Sequence, residues 1–137
     1  MRNGFWSNRE NRLKAALFAL RCGIGFFFLL WSLDKLVAPE STVKIFGHFY
    51  KTPLSTTGAY AVGGLELALS LAFLAGLCKR WTYCAVLALH AISTLSTYSQ
   101  LLSPFGKNHL FIAALPVLAA CWALYLLRDE DRLWSMG

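Results

Sequence analysis

The chain has 137 residues, of which 57% are hydrophobic types and 15% are charged, with a formal net charge of +6. Such a composition excludes intrinsic disorder, which needs low hydrophobicity and high net charge. It also argues against a water-soluble domain, since so small a body cannot hide that much apolar surface.

Four apolar runs of membrane-spanning length follow one another, which predicts an all-α integral membrane protein, a four-helix bundle forming one transmembrane domain over 1–137. The N-terminal stretch carries Arg2, Arg9, Arg12 and Lys14 against the single acid Glu10 and reads as a cytoplasmic anchor. The first span, 15–35, contains Arg21 and is closed by Asp34 and Lys35, with Pro39 as the stop. It lacks the features of a cleaved signal peptide and is expected to persist. The segment 41–50 places Ile45, Phe46, Phe49 and Tyr50 at helical spacing and is too short to span, so it reads as an interfacial helix with Ser41 or Thr42 as N-cap. The second span, 59–77, is interrupted by Glu66 and ends in the basic turn Cys78-Lys79-Arg80. The third, 81–102, contains His90 and several hydroxyl residues; the fourth, 108–127, contains Pro116. The Arg128-Asp129-Glu130-Asp131-Arg132 run reads as a solvated tail.

With both termini inside, the cytoplasmic side holds eight basic residues (the four of the N-terminal stretch, Lys79, Arg80, Arg128 and Arg132) and the outer side four (Lys35, Lys44, Lys51 and Lys107). That asymmetry predicts an N-in, C-in orientation and accounts for the basic balance without nucleic acid. Cys22, Cys78, Cys84 and Cys121 form no C-x-x-C pair and no zinc spacing, and behave as small hydrophobes in or beside apolar runs.

The ionisable residues at membrane depth are the informative ones, because a charge there is costly unless it is paired or faces the bundle interior. Arg21, Glu66 and His90 are the three deep cases. On the first span Lys14, Arg21, Phe28 and Lys35 recur every seven residues, with Phe18, Gly25 and Ser32 between them. Ala59, Gly63, Glu66, Ser70 and Phe73 form a similar stripe on the second span, and Tyr83, His90, Ser93, Thr97 and Gln100 on the third. Three polar stripes predict a shared polar interior, in which an Arg21–His90–Glu66 chain is feasible. These residues are candidates for ligand binding or proton handling, with structural pinning of the helices as the alternative. Lys35, Asn108 and His109 are candidates for the outer mouth, with interfacial snorkelling as the alternative. Gly64, Ala68, Ala72 and Gly76 form a small-residue stripe that suits tight helix packing. His109 lies too far from the His90 layer for bis-histidine haem ligation, and no residue spacing matches a metal site, so no metal or covalent cofactor is expected.

Three motifs, taken in order, resemble the DoxX family of small bacterial membrane proteins: L-R-C-G-I-G-F-F-F-L-L-W-S-L-D-K-L from Leu20, G-G-L-E-L-A-L-S-L-A-F-L-A-G-L-C-K-R from Gly63, and K-N-H-L-F-I-A-A-L from Lys107. The resemblance implies a four-helix bundle with an extra helix between the first two spans, in a bacterial inner membrane. By position, Arg21, Lys35, Glu66 and Asn108 fall where the family places polar residues. Some relatives are associated with quinone-linked sulfur oxidation or redox maturation, which implies a redox-associated subunit binding a quinone or similar lipid-soluble ligand, with Arg21 and His90 on its oxygens and Glu66 exchanging the proton. No electron-carrying centre is visible in the sequence, so a self-sufficient enzyme is not expected; the partners are the bilayer and a membrane or redox protein, or a second copy of the chain. A non-catalytic structural or assembly subunit of a larger membrane complex is the alternative.

Overall fold

The computed structural model describes residues 4–137, so Arg2 of the expected basic anchor lies outside the described residues. Four long helical rods run alternately up and down. The first is α1 (Arg9–Val37), capped by Asn8, whose side chain accepts from the Glu10 amide. After the short helix α2 (Pro39–Phe49) come α3 (Thr56–Leu74), α4 (Lys79–Ser96) with its continuation α5 (Tyr98–Leu102), and finally α6 (Ala114–Leu126). A three-ten stretch, Gly106–Ala113, leads into α6.

Pro39 does more than stop the first helix. It sits at the first position of α2, where its missing N–H costs nothing and its fixed φ suits a helix start. The cap is therefore Ala38, with no side-chain cap bond, rather than Ser41 or Thr42. The segment expected as a continuous third span, 81–102, is broken at Thr97 into α4 and α5. There Ser96 Oγ donates to the Ser93 carbonyl at 2.6 Å and Thr97 Oγ1 to the Thr94 carbonyl at 2.9 Å, local bonds that compete with the helical ladder. The fourth rod is α-helical only from Ala114, so Pro116 falls in the first turn of α6 instead of mid-helix.

Helices α1 and α3 pack antiparallel through two close approaches. A Cβ on Gly25 would lie 2.3 Å from Leu74 Cδ2, and one on Gly63 would lie 2.9 Å from Lys35 Cβ. The small-residue stripe expected to pack includes Gly64, which has open space where its Cβ would be. Gly63, one position earlier and on the buried face, is the residue that lets α1 approach. The inward faces read from the sequence are otherwise those that are buried: Arg21, Gly25, Phe28 and Ser32 on α1, Ala59, Gly63, Ser70 and Phe73 on α3, Tyr83 and His90 on α4. The apolar core joins Leu17, Ile24, Phe28, Phe73, Tyr83, Val86, Cys121 and Leu124.

The largest departure from expectation is the C-terminal tail. Residues 128–137 do not extend into solvent but fold back over the end of the bundle where α3 ends and α4 begins. Met136 N–H donates to the Ala75 carbonyl at 2.9 Å, and Lys79 Nζ donates to the Asp131 carbonyl at 2.6 Å. Asp131 is fully buried. The fold-back uses a left-handed residue at Trp134 (φ 47°) and a second left-handed position at Gly76 (φ 68°). A side chain at Gly76 would meet Ser135 Oγ at 2.5 Å and Arg21 Nη1 at 2.8 Å, so glycine is required there for space as well as for φ. This end of the bundle is called the tail end below, and the opposite one the α2 end.

Candidate functional site

The deep ionisable residues separate into two groups, one at each end. Arg21, fully buried, belongs to the tail end. Its Nη1 lies 3.3 Å from Asp131 Oδ2, and its Nη2 donates to the carbonyls of Leu133 and, at 3.0 Å, Trp134. Tyr83 Oη donates to the same Asp131 oxygen at 2.6 Å. Phe18 stacks edge-on with Trp134, centroids 5.1 Å apart, and lies under the guanidinium at 5.4 Å. A buried cation needs both a counter-charge and acceptors for its fork of donors. The tail supplies both, and this is why it leaves solvent.

Arg21 is therefore not in a chain with His90 and Glu66. The one signal in the sequence that pointed to Asp131 as its partner is general: a lone charge at depth needs a counter-charge, and an acidic residue stands 110 positions on.

Glu66 and His90 instead border one cavity at the α2 end, and Lys35 joins them there. Lys35 Nζ lies 2.8 Å from Glu66 Oε2, and the pair is mostly buried. Lys35 reaches it because Gly63 lets its stem lie close against α3, while its ammonium also donates to the Trp31 carbonyl at 3.3 Å and sits 5.7 Å from the Trp31 ring. His90 is bonded through Nε2 to the Ala114 carbonyl at 2.9 Å. A carbonyl can only accept, so Nε2 carries a proton and donates it to this bond. The imidazole is held edge-to-face against Phe27 and Phe28, centroids 5.9 and 6.1 Å away.

Lys35, Glu66 and His90 share the wall of a cavity of about 630 Å³ enclosed by α1, α2, α3, α4 and the approach to α6. The volume lies within the usual range for a small-molecule site, roughly 300–1,000 Å³. The rest of the wall is mostly aromatic and aliphatic: Phe27, Phe28 and Trp31 from α1, Phe46 and Phe49 from α2, and Phe111 before α6. Ser93, Ser96 and Thr97 add hydroxyls along the α4 side. Helix α2 forms the roof, with Phe49 facing Phe111 at a centroid distance of 6.0 Å.

Two expected mouth residues lie elsewhere. Asn108 Nδ2 donates to the Ser103 carbonyl at 3.0 Å, and His109 Nδ1 is 3.2 Å from the Pro104 carbonyl. Both close their own turn, and neither borders the cavity. The α2 contributions, buried Thr42 with Phe46 and Phe49, were legible only as an amphipathic face; their place over the cavity depends on how the helix folds back.

Among the described residues three helical segments are long and apolar enough to cross a membrane: Arg9–Val37, Thr56–Leu74 and Gly106–Leu126. The fold and site thus define an all-helical membrane protein with a polar-headed cavity near one end. The family model described as DoxX matches residues 16–99, more than half of the sequence, and the chain belongs to that family of small membrane proteins. The match includes Arg21, Lys35, Glu66 and His90 and ends before α6 and the tail that holds Asp131. Neither a curated protein nor a solved structure matches the chain.

Proposed function

We propose that the protein is a multi-pass subunit of a bacterial inner membrane that binds a quinone or similar lipid-soluble carrier in the cavity at the α2 end. The observation that carries this reading is the composition of the cavity wall: aromatic and aliphatic over most of its extent, with the Lys35–Glu66 pair and His90 as its ionisable groups. A flat, largely apolar ring bearing two oxygens fits that division. Lys35 donates to a carbonyl oxygen, Nδ1 of His90 accepts from a hydroxyl, and Glu66 lies where a proton can be exchanged. The carrier supplies the redox chemistry, with electrons from a partner protein; this chain binds and orients it.

The four rods cross the bilayer four times in this reading. At about 1.5 Å per residue the 18 residues of α4 alone rise about 27 Å, close to a bilayer core. The tail end carries Lys79, Arg80, Arg128 and Arg132 with the basic start of α1, and faces the cytoplasm by the positive-inside rule.

The test is mass spectrometry of small molecules bound to the protein purified in lipid nanodiscs. Stoichiometric quinone is expected, reduced in Glu66→Gln and Lys35→Met and retained in Asp129→Ala. A protein that neither retains nor takes up quinone, and copurifies with a partner alone, would refute the carrier reading and leave Lys35, Glu66 and His90 as pins between helices.

A further inference from the structure

A second concavity, a groove of about 340 Å³, lies between α1 and α6 and is lined by apolar or small residues throughout. Two of its lining residues, Phe27 and Val117, also line the large cavity. The groove and the cavity are therefore adjoining spaces divided by these two half-buried side chains. From Phe27 the groove runs toward the tail end past Gly23 to Ala19, about 12 Å along α1 at 1.5 Å per residue. Ala19, Gly23 and Pro116 are exposed, so the groove is open along the outer face of the helix pair. Its width comes from small side chains: Ala19 and Gly23 on α1 oppose Ala120 on α6, and a Cβ on Gly23 would have no neighbour within 4 Å.

We infer that this groove is the tail subsite and lateral entrance of the ligand whose head group lies in the cavity, so that the ligand is an amphiphile with a long apolar chain. The inference rests on the carrier reading above. Direction supports it: Lys35 and Glu66 lie near the α2 end, and the groove begins at Phe27, close to the middle of the first span, and runs on away from them toward the tail end. Adjacency supports it as well, since Phe27 and Val117 border both spaces and are the side chains a tail would pass. Phe27 is also the ring against which His90 rests, so it contacts both the head-group pole and the exit. In lipid a tail gains nothing from leaving water, so its affinity comes from close packing along these walls.

The experiment compares a tail-less dimethoxy-methyl-benzoquinone with its decyl derivative on the full chain in nanodiscs. Binding is followed by quenching of Trp31 fluorescence and corrected for partition into the bilayer. The decyl compound is expected to bind about tenfold more tightly. Gly23→Leu combined with Ala120→Leu, which fills the groove, is expected to abolish that advantage while leaving the tail-less affinity unchanged; unchanged tail-less binding also shows that the variant is folded. On the wild-type chain, a diazirine at the end of the decyl tail is expected to label Ala19, Gly23 or Ala120. Equal binding of the two quinones, or labelling confined to α2 and α3, would overturn the tail subsite while leaving the head-group site standing. Failure of both compounds to bind wild type would remove the carrier reading itself. An advantage that survives in the filled variant would likewise overturn the tail subsite, since the tail would then bind elsewhere.

Discussion

Replacing Asp131 by alanine tests the tail-end assembly directly. The substitution removes the counter-charge of a fully buried guanidinium and the acceptor of Tyr83 Oη. Breaking a buried pair by deleting one partner costs about 3–5 kcal/mol, because the other charge stays behind uncompensated. Arg21 would keep the carbonyls of Leu133 and Trp134, which places the cost toward the lower limit. The pair is also imperfect in the native protein, since Arg21 Nε and Asp131 Oδ1 are buried without partners among the described residues. A loss of about 3 kcal/mol in tail anchoring corresponds to roughly a hundredfold or more in the open population. Trypsin cleavage after Arg128 and Arg132 reads that population when reclosing outpaces cleavage. The expected result is cleavage faster by about two orders of magnitude in Asp131→Ala, no change in Asp129→Ala, and recovery of most of the protection when Arg21→Met is combined with Asp131→Leu. Equal protection of Asp131→Ala and wild type would refute the argument that the ion pair holds the tail.

Three further outcomes follow from the packing and charges. Gly25→Val forces side-chain atoms against Leu74 and is expected to lower thermal stability by about 1–3 kcal/mol, whereas Gly64→Ala, with open space around its Cβ, is expected to be neutral or to stabilise slightly. Gly76→Ala places a Cβ between Ser135 and Arg21 at a positive φ, and is expected to expose the tail to trypsin much as Asp131→Ala does; protection at wild-type level would contradict that steric account. The Lys14 ammonium, 2.6 Å from Glu10, holds the Glu10 carboxyl below the usual carboxylate range. The support it gives the first turn of α1 is therefore present above the ordinary carboxylate pKa and is lost as the pH falls through the lowered value. Amide exchange near residues 10–14 is expected to quicken there, and Lys14→Met is expected to flatten the dependence.

The all-helical class and the inward faces were legible in the sequence because they depend on local periodicity. The 3- and 4-residue spacing of Arg21, Gly25, Phe28 and Ser32 selects one side of α1 whatever packs against it. The stripe on α3 was found the same way, and so was the place of Tyr83 and His90 on α4. Periodicity also named Glu66 and His90 as inward-facing and therefore worth explaining. Partner choice was not legible, because it depends on register between helices and on where loops return. Gly63 and Gly64 are indistinguishable in composition, yet only Gly63 meets α1, and that contact sets Lys35 one turn from Glu66. The acidic tail read as solvated because its residue types are those of an exposed terminus; only the fold-back shows that one of its carboxylates neutralises Arg21.

The sequence by itself determined an all-helical membrane protein and which residues had to face inward, since apolar mass and helical period are properties of the chain alone. Tertiary structure decided that Arg21 fastens the tail while Lys35, Glu66 and His90 surround a cavity. A buried charge takes whichever partner the packing brings within a few ångströms, and that distance is fixed only when the helices meet.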